Sequence, residues 1–159
     1  MPPTNKILRP SQDSGGADRD RFPKDKKPAP DMAKRTVTIL VVDDEKPILK
    51  IVPRVLKKEG REFKAVDNAE EALELVRAGG IDLVVTDLVM PNMDGLQLLR
   101  AIKQEDSGNS PEVIIISGSL MEASVNAIRD AGAFGFVNKP FDTAELKVLV
   151  DYALAHLED

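Results

Sequence analysis

The chain has no cysteine, no tryptophan, one tyrosine and one histidine among its 159 residues. The absence of cysteine excludes disulfides and thiolate metal sites, and it suits a cytoplasmic protein. Aromatic residues make up only 4%, so any core has to be built from aliphatic side chains. No apolar run approaches the roughly 20 residues of a membrane span. The N-terminus has no apolar core of a secretory signal. Neither a membrane protein nor a secreted one is expected.

Basic residues are scarce in the apolar part of the chain. Residues 1–35 hold nine Lys or Arg and five Asp, whereas residues 36–159 hold 13 Lys or Arg against 22 Asp or Glu. The second segment is acidic, which argues against direct DNA binding. The first segment contains six of the eleven prolines, with glycine and alternating charge, and has almost nothing to bury. It is expected to be a disordered tail. Met32 resembles a start of the compact part, and an upstream choice of start codon is an alternative origin for the first 31 residues.

From Thr36 onward, short apolar runs alternate with amphipathic segments. The predicted strands are Thr36–Val42, Glu62–Val66, Ile81–Thr86, Glu112–Ser117 and Ala133–Asn138. The predicted helices are Pro47–Glu59, Ala69–Ala78, Gly95–Gln104, Leu120–Ala131 and one that Asp142 caps. The first helix places Ile48, Ile51, Val52, Val55 and Leu56 on one face and ends at Gly60. Pro53 lies inside it and removes a backbone donor. The last helix carries the stripe Leu146, Leu149, Val150, Ala153 and Leu154. The first, third and fourth strands are apolar almost throughout, as strands covered on both faces are. An α/β fold follows: a doubly wound, five-stranded parallel sheet of order 2-1-3-4-5, with helices on both faces.

Two of the apolar strands end in acids. "TILVVDDEKP" runs into Asp43, Asp44 and Glu45, and "IDLVVTDLVMP" reaches Asp87. In this topology ligands bind at the carboxyl ends of the strands, where the strand order reverses, which is between the first and third strands. Three carboxylates are therefore predicted to meet there. Like charges at ~4 Å repel by about 1 kcal/mol in water and about 4 kcal/mol at an effective dielectric of 20. A cation is needed, and all-oxygen ligands favour a hard ion such as Mg²⁺. The fourth strand ends in Ser117-Gly118-Ser119 and the fifth is followed by Asn138-Lys139-Pro140. The rim thus gathers a nucleophilic carboxylate, a metal site, an ammonium and a hydroxyl, the parts for phosphoryl transfer to Asp. His156 is expected on an exposed C-terminal turn and not as a phosphocarrier. Gly95 is expected to serve the turn into the third helix, and Met90 and Met93 to wall a loop.

"VVDDE", "DLVMPNMDG", "IIISGS" and "GFVNKPF", in this order and spacing, resemble the receiver domain of two-component response regulators over about residues 36–157. The resemblance implies a flavodoxin-like three-layer α/β/α domain spanning 36–159. It implies Asp87 as phosphoacceptor. It implies Mg²⁺ held by Asp43, Asp44, Asp87 and the Val89 carbonyl, with Asp44 binding directly and Asp43 mostly through water. Ser117 becomes the switch hydroxyl, Lys139 the phosphoryl partner and Phe136 the aromatic switch residue, and the Lys139–Pro140 bond is often cis. Phe136 replaces the common tyrosine. Apolar Val89, together with Ser119, flanks the expected path of the attacking water, so slow autodephosphorylation is expected.

The 20 residues after Lys139 leave no room for an output domain, which suggests a single-domain response regulator. It would be phosphorylated by a sensor histidine kinase or a histidine phosphotransfer protein. It would signal to a downstream protein through its fourth helix, fifth strand and fifth helix, a face that also allows a homodimer. On this reading it is not an enzyme in the usual sense. Two alternatives stand beside it. One is a phosphorylation-independent docking module. The other is a Mg²⁺-dependent aspartyl-phosphate phosphohydrolase, although haloacid-dehalogenase-type enzymes carry Asp-x-Asp where this chain has Asp-Asp, and no cap domain is present.

Overall fold

The computed structural model describes residues 5–7, 36–105, 110–118 and 121–157. Six strands and five helices occur among them: β1 (Asn5–Ile7), β2 (Val37–Val42), α1 (Lys46–Leu56), β3 (Arg61–Val66), α2 (Ala69–Ala78), β4 (Leu83–Asp87), α3 (Gly95–Gln104), β5 (Glu112–Ser117), α4 (Glu122–Asp130), β6 (Gly135–Asn138) and α5 (Thr143–Leu157). β3, β2, β4, β5 and β6 are parallel neighbours in that order, which is the predicted 2-1-3-4-5 sheet. β4 and β5 are buried along their whole length, because helices cover both faces and no side of these strands meets water.

One strand lies outside the prediction. Asn5–Ile7 pairs antiparallel with Gly135–Val137 and extends the sheet beyond β6. Three of the 35 residues expected to form a disordered tail are therefore a strand. The rest of that segment, Met32 included, lies outside the described residues. Three residues are too few to show a strand period in sequence. Their order comes from the free hydrogen-bonding edge of β6, about 130 residues away in the chain.

The helices follow from their stripes and caps. In α5 the five predicted positions, Leu146, Leu149, Val150, Ala153 and Leu154, are all buried. Burial of side chains of this size contributes about 1.5–3 kcal/mol for each large aliphatic one. Asn68 caps α2 by accepting the Glu71 N–H at 2.7 Å, and Gly79, at φ 93°, ends it. α1 departs from expectation. It stops at Leu56, and its C-cap is Lys57. Gly60 (φ 85°) serves instead the turn into β3, where its carbonyl accepts the Val37 N–H at 2.8 Å. Val52 and Leu56 are buried, but Ile51 is 44% exposed, because the five apolar positions span a wider arc than the sheet covers. The helix continues through Pro53. Two aliphatic clusters result, one on each face of the sheet. Among the described residues, no helix is long and apolar enough to cross a membrane.

Candidate functional site

The carboxyl ends of β2 and β4 lie side by side, with Val42 opposite Thr86 in the register. The next residues are Asp43 on one strand and Asp87 on the other. Asp43, Asp44 and Asp87 each offer a carboxylate oxygen, and these oxygens all lie within 4.8 Å of one another. Asp43 is fully buried, Asp87 nearly so and Asp44 exposed. The predicted meeting of three acids is therefore present.

Asp87 ends β4 because the loop behind it folds back. Its Oδ1 accepts the Leu88 N–H at 2.7 Å. Gly95 donates its N–H to the Leu88 carbonyl at 2.8 Å. Asn92 takes a left-handed turn at φ 68°, a conformation that Asn tolerates better than most residues. A capping box between Asp94 and Gln97 then starts α3. The Leu88 amide holds one carboxylate oxygen of Asp87 and leaves Oδ2 toward the rim.

Lys139 follows β6, and its peptide bond to Pro140 is cis. Its N–H donates to the Ser117 carbonyl at 3.0 Å, which ties the ends of β5 and β6 together. Its ammonium donates to Asp43 Oδ2 at 2.9 Å, Glu45 Oε1 at 2.9 Å and Asp87 Oδ2 at 3.2 Å. Burial works to lower the Lys139 pKa. The hydrogen bonds to Glu45 and Asp43 and the charges of Asp43 and Asp87 outweigh it, so the ammonium sits above the ordinary lysine value. Burial pushes the Asp43 carboxyl above its usual range, and the charge of Asp87 adds to that. Lys139 and the Glu45 backbone N–H act in the opposite sense. The Glu45 carboxyl is held below its usual range by Lys139.

The donor set suits a hard divalent cation. It consists of carboxylate oxygens alone, one of them buried at a carboxyl whose charge is disfavoured, and Mg²⁺ commonly takes one or two carboxylates while keeping waters.

Ser117 is buried at the end of β5, one residue past the partner of Asp87 in the register. Phe136 is buried in the cluster that also holds Leu98, Ile115 and Ile128. Val89 is exposed at 57% on the loop after Asp87. Ser119 lies outside the described residues. Glu45, in sequence only the third acid of a run, is a direct partner of Lys139. The run of three acids was the available signal. The expectation for His156 is corrected. It is only partly exposed, with Nε2 at 3.5 Å from Glu112 Oε2 and its ring tilted against Phe134. The end of α5 passes the start of β5, where Glu112 is buried.

Comparison with known proteins identifies the family and the fold. A family model described as response regulator receiver domain matches residues 39–151. The DNA-binding transcriptional regulator NtrC of Proteus hauseri is 35% identical over 121 residues, which cover 76% of this chain and 25% of that protein. The chain thus spans about a quarter of the length of the curated relatives it matches. Among solved structures, the signal receiver domain of an HD domain-containing protein from Pseudomonas fluorescens Pf-5 has a TM-score of 0.71 at 28% identity, covering 77% of this chain and 97% of that one. A BeF3-activated DrrB receiver domain has a TM-score of 0.67 at 32% identity, covering 76% and 98%.

Proposed function

Because the chain belongs to the response regulator receiver domain family, we propose that Asp87 accepts a phosphoryl group from a histidine kinase or a histidine phosphotransfer protein. The observation that carries this reading is the position of the Lys139 ammonium, bonded to Asp87 Oδ2 and Asp43 Oδ2 at the open end of the sheet. Asp87 Oδ2 is the nucleophile. Its lone pair forms the O–P bond as the donor's P–N bond breaks, and the imidazole nitrogen leaves with those electrons. Lys139 takes up the developing negative charge on the phosphoryl oxygens. The Leu88 N–H holds Oδ1 and so fixes the carboxylate plane. Asp43, Asp44 and Asp87 would hold a divalent ion such as Mg²⁺, which when bound offsets the phosphoryl charge.

The added group carries about −1.5 to −2 charges. Ser117, at the neighbouring strand end, is the hydroxyl drawn toward it. Phe136 responds from the adjacent strand and biases a two-state equilibrium on the α4, β6 and α5 face. A downstream protein reads that face. A homodimer through the same face is a second use of it, with β1 beside β6 as part of its edge. The protein acts as a signalling phosphoacceptor and not as an enzyme on a separate substrate.

The test is labelling with acetyl phosphate and Mg²⁺. One phosphoryl per chain is expected, abolished by Asp87→Asn and by chelation. Catalytic turnover of small phosphate esters would replace this reading with a phosphohydrolase. Partner binding that is identical in the wild type, Asp87→Asn and Asp87→Ala would replace it with a docking module.

A further inference from the structure

The two edges of the sheet are guarded differently. β3 ends it on one side and carries Arg61, Glu62 and Lys64 among its six residues. Charges on an edge strand discourage pairing with another chain. On the other side, β6 reads Gly-Phe-Val-Asn, with no charge and no proline, and Gly135, Phe136 and Val137 are buried. β6 has none of these protections of its own, so its outer main-chain donors and acceptors suit any extended segment. In this structure they are covered. Asn5, Lys6 and Ile7 pair antiparallel with Val137, Phe136 and Gly135, and α5 runs beside the added strand.

The cover is small. Three paired residues make only a few main-chain hydrogen bonds, each with a modest net contribution. Against them stands the entropy of closing the connection between Ile7 and Val37. A strand held by so few bonds exchanges with another that offers the same bonds.

We infer that the outer edge of β6, at residues 135–137, is a strand-acceptor site, that Asn5–Ile7 is its resident occupant, and that an extended segment of a partner protein binds there by displacing it. Main-chain hydrogen bonds carry the recognition, so the partner segment has to be extended, antiparallel to β6 and free of proline, and its side chains matter less. The site goes beyond the phosphoacceptor reading and stands without it. Because β6 belongs to the face through which that reading has the domain signal, the resident strand competes with any partner that adds a strand there.

The test uses the full chain, with a synthetic peptide of residues 1–10 standing in for the partner segment. The wild type is expected to show cross-strand backbone nuclear Overhauser effects between Asn5–Ile7 and residues 135–137. Lys6→Pro is expected to lose them, because proline has no N–H and holds φ at about −65°, far from the about −140° of an antiparallel strand. Position 6 lies outside the family match at residues 39–151, so the domain is kept, and amide spectra check this. Added peptide is expected to shift the amides of residues 135–137 in Lys6→Pro. The wild type should need about fivefold more peptide, because its resident strand leaves only a fraction of the edges free. The same peptide with the Lys6→Pro change is expected not to bind. Absence of the cross-strand effects in the wild type overturns the resident strand. Peptide shifts that miss residues 135–137, or equal affinity for the two proteins, overturn the displacement. Equal binding of the proline peptide overturns main-chain recognition.

Discussion

Gly95 lies so close to Asp87 that a β-carbon on it would overlap the Asp87 carbonyl oxygen, with the Leu88 Cα at 3.0 Å. Both neighbours are backbone, so neither can swing aside. The turn into α3 is thereby pressed against the peptide that carries the nucleophile. Gly95→Ala is expected to cost about 1–3 kcal/mol, as overpacking does, and to lower the yield of Asp87 labelling. Gly132→Ala is the contrast. That residue has φ 102°, and its nearest atoms belong to the flexible Lys103 side chain at 3.5–3.7 Å. Its cost, about 1–2 kcal/mol, comes from backbone strain, and labelling is unaffected. Thermal melts and acetyl phosphate labelling of the two variants check this. Full labelling of Gly95→Ala would refute the link between the turn and the site.

Lys139→Met leaves Asp43 buried without its ammonium. In chelator it is expected to lose about 2–3 kcal/mol, because removing one partner strands the other charge. Mg²⁺ should then raise its melting temperature more than it raises that of the wild type, since the ion supplies the missing positive charge. A Mg²⁺ effect no larger than in the wild type would contradict a metal site formed by Asp43, Asp44 and Asp87.

Asp43 gives the pH dependence. Burial, and then the charge of Asp87, raise its folded pKa above the ordinary value. A carboxyl raised on folding contributes stability that is complete below its unfolded pKa, about 3.9, and is lost as pH rises through the higher folded value. Metal-free wild type is therefore weakened by this group at neutral pH. Asp43→Asn, in chelator, is expected to melt higher than the wild type at pH ~7, with the gap closing toward pH ~4. A variant melting at or below the wild type at neutral pH would contradict the sign.

His156 and Glu112 sit at the opposite end of β5 from Ser117, about 16 Å along a six-residue strand. His156→Ala removes a half-buried pair and a ring contact. It is expected to cost about 0.5–1.5 kcal/mol while leaving Asp87 labelling and beryllofluoride binding unchanged. Altered phosphoryl uptake in this variant would mean that the two ends of the sheet are coupled.

Much of this was legible because local pattern and tertiary role coincide. The α5 stripe, the bounds of α3 and the burial of Glu112–Ser117 each follow from a short window of residues. The acids at 43, 44 and 87 were legible for a different reason. Parallel strands all present their carboxyl ends to one rim, so a sheet order fixes which strand ends are neighbours. Ile51, the end of α1 and the setting of His156 were misjudged because each depends on how far a neighbouring element extends. No window of sequence carries that length.

Within residues 36–157, the sequence alone determined which elements form, the parallel sheet order and the identity of the acids, the lysine and the hydroxyl at the strand ends. Hydrophobic period and strand-end chemistry are local properties. The tertiary structure decided that Lys139 donates to three carboxylates at once and that one of these is the exposed Glu45. It also decided that Gly95 presses on the Asp87 peptide and that Asn5–Ile7 completes the edge of β6. These are distances between residues as many as about 130 positions apart, set by packing and register, which a linear pattern does not encode.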